Sequence, residues 1–94
     1  MSDKALRLYV VGETPAAMRA MKSTRLLCDE RLGEGWTLEV IDVLQRPDLA
    51  EADRISAVPA LVRKAPRPVR RVVGDLSDHE RVLLGLEIGL AGPG

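Results

Sequence analysis

Ninety-four residues make one small domain, and a composition of 46% apolar and 30% charged residues is that of a folded globule, which excludes an intrinsically disordered chain. Fourteen basic residues balance fourteen acidic ones, so no net charge draws the whole chain to nucleic acid or to an anionic membrane. With no Phe, one Trp and one Tyr, the core must come from Leu, Val, Ile, Ala and Met, and a chain this short buries only about 60–70% of its unfolded surface, so oligomerisation would help it.

Leu6, Leu8 and Val10 alternate with Arg7, Tyr9 and Val11 up to Gly12, which predicts a first strand. Thr14 then offers a helix cap with Pro15 in the first turn. Ala17, Ala20, Met21, Thr24, Leu27 and Cys28 fall on one face of the helix that follows, and Gly33 and Gly35 end it. Leu38 to Leu44 predicts a second strand, apolar apart from Glu39 and Asp42, as suits an interior strand of a helix-covered sheet. The resulting strand, helix, strand unit should be parallel with a right-handed crossover. Pro47 to Arg54 reads as a short helix, and Ala57 to Val62 as a strand entered through Pro59. Pro66 and Pro68 interrupt the chain before Val69 to Val73, which pairs back as a hairpin. Gly74 permits a turn, and Ser77 with Glu80 forms a capping box. The last helix turns Val82, Leu83, Leu86 and Leu90 inward, weakened by about 1 kcal/mol at each of Gly85 and Gly89. The order βαβαββα over residues 1–94, with its core at about 5–90, is a single α/β domain of thioredoxin-like topology.

Redox chemistry on that topology needs a thiolate at the start of the first helix, normally one of a Cys-x-x-Cys pair. Here Gly12-Glu13-Thr14-Pro15 stands in that place. Without a nucleophile and base pair, a phosphate loop or a metal cluster elsewhere, no catalytic, cofactor or metal site is expected, and the architecture should serve binding. Pro59 sits where such folds place a cis-proline beside their functional site; the sequence leaves the isomer open. No apolar run approaches the ~20 residues of a membrane span, and the N-terminus has no signal-peptide core. With neither, a soluble cytoplasmic protein is expected, and the lone Cys28, which permits no intramolecular disulfide, fits a reducing compartment.

Individual side chains invite simpler readings. Cys28 and Tyr9 read as packing, Trp36 as a cap over the core edge, and His79 beside Asp78 and Glu80 as a solvated histidine without a second metal ligand. Asp42, a carboxylate in an apolar run, needs either a partner or an exposed strand end. Arg63, Lys64, Arg67, Arg70 and Arg71 lie together without an acid, leaving nine basic against fourteen acidic residues in the remainder. Nucleic-acid binding through residues 63–71 is not expected, because stacking aromatics and overall positive charge are lacking.

Five segments in order carry a family resemblance: Leu6-Arg7-Leu8-Tyr9-Val10-Val11-Gly12 with Thr14-Pro15; Leu38-Glu39-Val40-Ile41-Asp42-Val43-Leu44; Pro47-Asp48-Leu49-Ala50-Glu51-Ala52-Asp53-Arg54-Ile55 with Val58-Pro59; Pro68-Val69-Arg70-Arg71-Val72-Val73-Gly74-Asp75-Leu76-Ser77; and Val82-Leu83-Leu84-Gly85-Leu86-Glu87. Together they resemble the circadian clock KaiB family over nearly the whole chain. Glu13, where many members have Asn, and the basic Lys64-Ala65-Pro66-Arg67-Pro68 segment depart from the pattern. The resemblance implies a non-enzymatic clock component without a cofactor. Its partner would be the N-terminal ATPase lobe of the hexameric ring KaiC, with a SasA-like histidine kinase as competitor. It also implies metamorphism, since some members interconvert between a ground-state fold, usually tetrameric, and a thioredoxin-like monomer that binds KaiC. Pro59, Gly85 and Glu87 are the positions it marks as fold-determining.

Arg7, Arg19, Lys22, Arg70 and Arg71 match family positions implicated in partner contact. Lys22 reads more simply as part of a solvated face. Arg70 and Arg71, adjacent on a strand, point to opposite faces, so at least one must meet a partner or solvent. The alternative function is a thioredoxin-like adaptor or sensory domain with another signalling partner and no redox activity.

Overall fold

In the computed structural model, which describes residues 4–89, the chain forms β1 (Lys4–Val10), α1 (Pro15–Leu27), a π-helical turn (Cys28–Leu32), β2 (Trp36–Asp42), α2 (Pro47–Ala52), β3 (Ala60–Ala65), β4 (Arg70–Val73) and α3 (His79–Leu86). The strands make one sheet in the order β2-β1-β3-β4. β1 runs parallel to β2, with Leu6 opposite Leu38 and Leu8 opposite Val40, while β3 lies antiparallel to β1 and β4 antiparallel to β3. This is the expected thioredoxin-like order in one mixed α/β domain.

Alternation along β1 divides the core in two. Leu6, Leu8 and Val10 point into a larger cluster with Ala17, Ala20 and Leu27 of α1 and Val82, Leu83 and Leu86 of α3. Tyr9 points the other way, into a smaller cluster with Ile41, Ala50, Ala60 and Val62 beneath α2. α1 starts as its sequence demands: the Thr14 hydroxyl accepts from the Ala17 N–H at 3.1 Å, and Pro15 fills a first-turn position that needs no donor.

Several boundaries move from their expected places. β2 spans Trp36 to Asp42 and lies at a sheet edge, so it is not the interior strand Leu38 to Leu44. Asp42 turns the chain there, its Oδ1 accepting from the N–H groups of Leu44 at 2.9 Å and Gly12 at 3.1 Å, which answers its need for a partner. β3 begins only after Pro59, whose bond to Val58 is cis, and continues through Arg63 and Lys64 to Ala65. Asp78, not Ser77, caps α3: it accepts from the Arg81 N–H at 3.2 Å, while the Ser77 N–H is engaged by Asp75 at 2.9 Å. No capping box with Glu80 forms; Glu80 pairs with Arg31. α3 ends at Leu86, because Glu87 takes a left-handed conformation (φ 55°), which leaves Gly89 outside the helix; Leu90 lies outside the described residues. Inside α3, Gly85 is a packing residue, since a Cβ there would overlap Cγ2 of Val72 on β4. Among the described residues no helix is long and apolar enough to cross a membrane.

Candidate functional site

Glu39 of β2, Arg7 of β1, Val62 of β3 and Arg71 of β4 stand opposite one another in a row across the sheet face that α2 partly covers. Asp53, the residue that follows α2, sits over this row. Its side chain is only 6% exposed. Arg7 Nη1 donates to Asp53 Oδ2 at 3.0 Å, and Lys64 Nζ donates to Oδ1 at 2.5 Å. The Tyr9 hydroxyl donates to Asp53 Oδ2 at 2.5 Å and lies 2.9 Å from the Leu49 carbonyl. Arg71 Nε donates to the Asp53 carbonyl at 3.2 Å, and Arg7 Nε reaches Glu39 at 2.9 Å. Burial opposes the Asp53 charge, but the Lys64 ammonium, the Tyr9 hydroxyl and Arg7 outweigh it and hold this carboxyl below its ordinary range. Burial, then the neighbouring carboxylate, pushes the Tyr9 phenol up. For Arg7, bonds to Tyr9 and Glu39 outweigh the cost of burial and raise its affinity for the proton. The network therefore fixes charges in place; it ties the end of α2 to β1, β3 and β4, and Arg7 carries it on to Glu39 of β2.

The opposite side of the sheet carries a groove of ≈ 470 Å³ between α1 and the segment that follows β4. Arg19 and Lys22 of α1, Pro59, Asp75 and Ser77 border it, with Ala16, Ala20 and Leu76 as apolar lining. Arg19 and Lys22 are exposed, and among the described residues neither side chain makes a hydrogen bond or ion pair. The Ser77 N–H and hydroxyl, helped by Arg81 and Arg19, hold the Asp75 carboxyl below its ordinary range. His79 is not the solvated residue expected: its Nε2 lies 3.0 Å from the Ser23 carbonyl and donates to it, joining α3 to α1.

The five candidate cations are thus brought to three places. Arg7 and Arg71 meet at Asp53, Arg19 and Lys22 at the groove, and Arg70 pairs through Nε with the carboxylate of Glu87, which is lowered by that contact. The run of basic residues from 63 to 71 forms no common surface. Arg63, 6% exposed, turns toward α3 and donates to the carbonyls of Glu87 at 3.1 Å and Pro68 at 2.6 Å, whereas Lys64 turns to Asp53. Cys28 lies at the far end of α1, part-buried against the larger core, and burial followed by Asp29 pushes its thiol up. Trp36 opens β2 and packs against the same core. Asp53, Lys64 and Arg63 escaped the sequence analysis as organising residues. For Asp53 and Lys64 the one local signal was Tyr9, whose hydroxyl cannot enter an apolar strand without a partner.

The KaiB domain family model matches residues 7–88. A circadian clock oscillator protein KaiB of Prochlorococcus marinus (strain MIT 9313) is 53% identical over 83 residues, which cover 88% of this chain and 70% of that protein. The protein of the same name from Synechococcus sp. (strain RCC307) is 52% identical over 83 residues, covering 88% and 76%. Among solved structures, the N-terminal domain of Synechococcus elongatus SasA matches with a TM-score of 0.71 and 25% identity, over 93% of this chain and 86% of that one. Mitochondrial thioredoxin 3 from Saccharomyces cerevisiae matches with a TM-score of 0.72 over 93% and 79% at 15% identity, a likeness of fold alone.

Proposed function

This chain belongs to the KaiB family of circadian clock proteins, and on that premise we propose that it works by binding, not catalysis, as a regulatory component of a KaiC-type timing system. Its partner in this reading is the N-terminal ATPase lobe of a KaiC hexamer. The observation that carries the reading is the KaiB match over residues 7–88 on a chain whose strands run β2-β1-β3-β4. In the family resemblance the thioredoxin-like form is the one that engages KaiC. The fold likeness to the SasA N-terminal domain supports a shared docking mode, with a SasA-like kinase as competitor. A thioredoxin frame with Glu13 and Thr14 at the start of α1, and its cysteine thirteen or more residues away and part-buried, supports a role without redox turnover.

Arg7, Arg19, Lys22, Arg70 and Arg71 are the cations from which the docking surface is drawn. Of the three fold-determining positions, Gly85 lets α3 approach β4, Glu87 ends α3 and pairs with Arg70, and Pro59 borders the α1 groove. A cytoplasmic setting follows from the partner. Size exclusion of the protein with its host's KaiC homologue, in ATP and in ADP, tests the proposal. Co-elution, with free protein running as a monomer, is the expected result; a free tetramer that co-elutes after a lag would indicate a change of fold before binding. Failure to co-elute in either nucleotide refutes the reading, and competition by a SasA N-terminal domain locates the shared surface.

A further inference from the structure

At the end of the sheet where β1 and β2 begin, opposite the end that carries Pro59 and the start of α1, lies a second cavity of ≈ 360 Å³. Small-molecule sites typically span about 300–1,000 Å³. Leu32, Trp36 and Ile88 give this one apolar walls, each part-buried against the larger core. The π-helical turn, closed by the Gly33 N–H on the Cys28 carbonyl at 3.1 Å, brings Arg31 and Leu32 to it, and insertions of this kind recur at functional sites. Arg63 of β3 borders the same cavity and is only 6% exposed. Its Nη1 and Nη2 donate to the backbone carbonyls of Glu87 and Pro68, whereas its Nε is, among the described residues, the one buried side-chain polar atom without a hydrogen-bond partner. Nor does Arg63 form an ion pair among the described residues, since the Glu87 carboxylate is held by Arg70. A buried cation set among neutral carbonyls is costly until an opposite charge reaches it.

We infer that this cavity binds a small aromatic carboxylate, whose ring packs between Trp36, Leu32 and Ile88 and whose carboxylate supplies Arg63 with its missing acceptor and countercharge. Charge selects the head group. Arg63, Arg31 and Lys4 border the cavity against the single carboxylate of Glu87, so an anion is favoured there and a cation is not. The walls select the body. A bare inorganic anion could satisfy Arg63 but would leave the apolar side chains wet, whereas a ring can stack on the Trp36 indole. The site stands on these contacts alone and goes beyond the KaiC reading.

Trp36 is the sole tryptophan, so its emission reports on the cavity wall directly. The test titrates the whole protein with 4-phenylbutyrate, beside 4-phenylbutanol as the neutral counterpart, 4-phenylbutylamine as the cationic one and acetate as the head group alone. A saturable change in Trp36 emission is expected for 4-phenylbutyrate, with affinity at least about tenfold weaker for the alcohol and for acetate, and no response to the amine. Amide shifts should gather on Leu32, Trp36, Arg63 and Ile88. Arg63→Gln should abolish the preference for acid over alcohol and leave alcohol binding as in the parent. If that variant fails to fold for want of its bonds to Glu87 and Pro68, Arg31→Glu replaces it: this exposed change, which gives up only a surface pair with Glu80, should weaken binding of the acid about threefold and leave the alcohol unaffected. Equal affinity for acid and alcohol or for acid and acetate, shifts gathered on the α1 groove, a preference for the acid undiminished in the variant, or no saturable response by about 10 mM would overturn the inference. None of these outcomes depends on KaiC.

Discussion

Replacing Asp53 with Asn keeps the side chain's shape and removes its charge, which isolates what the α2 network contributes. Lys64 and Arg7 donate to different oxygens of this carboxylate, at 2.5 Å and 3.0 Å. An amide offers one oxygen and one NH2 group, so at least one cation would face another donor. Breaking a fully buried ion pair from one side costs about 3–5 kcal/mol. Here the Lys64 side chain is 33% exposed and Arg7 keeps Glu39, so hydration and the remaining pair offset part of the loss, and a cost of about 2–3 kcal/mol is expected. Against the roughly 5–14 kcal/mol typical of a domain this size, that is a large share, and it should lower Tm by about 10–20 °C. Urea unfolding of Asp53→Asn, Lys64→Met and the double variant gives the coupling directly, expected at about 1 kcal/mol or more. The pH dependence has a definite sign. Asp53 holds a folded pKa below its unfolded value, so its contribution is present above the ordinary carboxylate range and is lost as pH falls through the folded pKa. The Asn variant should lack that part of the acid transition. If Asp53→Asn stays within about 0.5 kcal/mol of the parent at neutral pH, the network is not holding α2 and the reasoning fails.

Two further substitutions probe packing and the buried hydroxyl. Gly85→Ala should cost about 1–3 kcal/mol in thermal unfolding despite the gain of about 1 kcal/mol in helix propensity, because the new methyl meets Val72, and adding Val72→Ala should recover part of the loss; a stabilised Gly85→Ala protein would show that α3 does not press on β4. Tyr9→Phe keeps the ring and removes a bond to a buried carboxylate, for a loss of about 1.5–3 kcal/mol by urea unfolding. Because the folded phenol pKa is raised, the hydroxyl's share of stability is complete below the unfolded pKa and is lost as pH rises through the folded one, so an alkaline limb seen in the parent should be absent from the Phe variant.

Elements whose signals are local were legible from the chain. Alternation through Leu6, Leu8 and Val10 and the Thr14-Pro15 start of α1 needed no tertiary information, and both stand in the structure. β2 was displaced because Val43 and Leu44 are apolar enough to extend a strand, while the side chain of Asp42 captures the Leu44 N–H and turns the chain. The α3 cap slipped by one residue for a similar reason: Ser77 is a good cap by type, but Asp75 engages its hydroxyl as well as its N–H, and Asp78 takes the role. Arg19 and Lys22 could be named from the chain, yet nothing local distinguishes an unpaired arginine from one bonded 46 residues away, as Arg7 is to Asp53. Asp42 drew notice as a carboxylate among apolar residues, whereas Asp53, at the end of an acidic helix, did not look unusual until the fold laid α2 on the sheet.

The two sides of the sheet are held by different forces. α3 buries Val82, Leu83 and Leu86 against the larger core, whereas α2 buries Ala50, packs a part-buried Leu49 on the smaller core, and adds polar bonds to Tyr9, Lys64, Arg7 and Arg71 around its C-terminus. Apolar contacts hold no charge for salt to screen, and ion pairs with partly wetted partners are weakened by it. Native-state hydrogen exchange should therefore find α2 opening as a separate unit at a free energy below that of global unfolding, and added salt should widen the gap. Ionic strength would then act as a selective control on one layer of the molecule, loosening the α2 side while the α1 and α3 side keeps its grip.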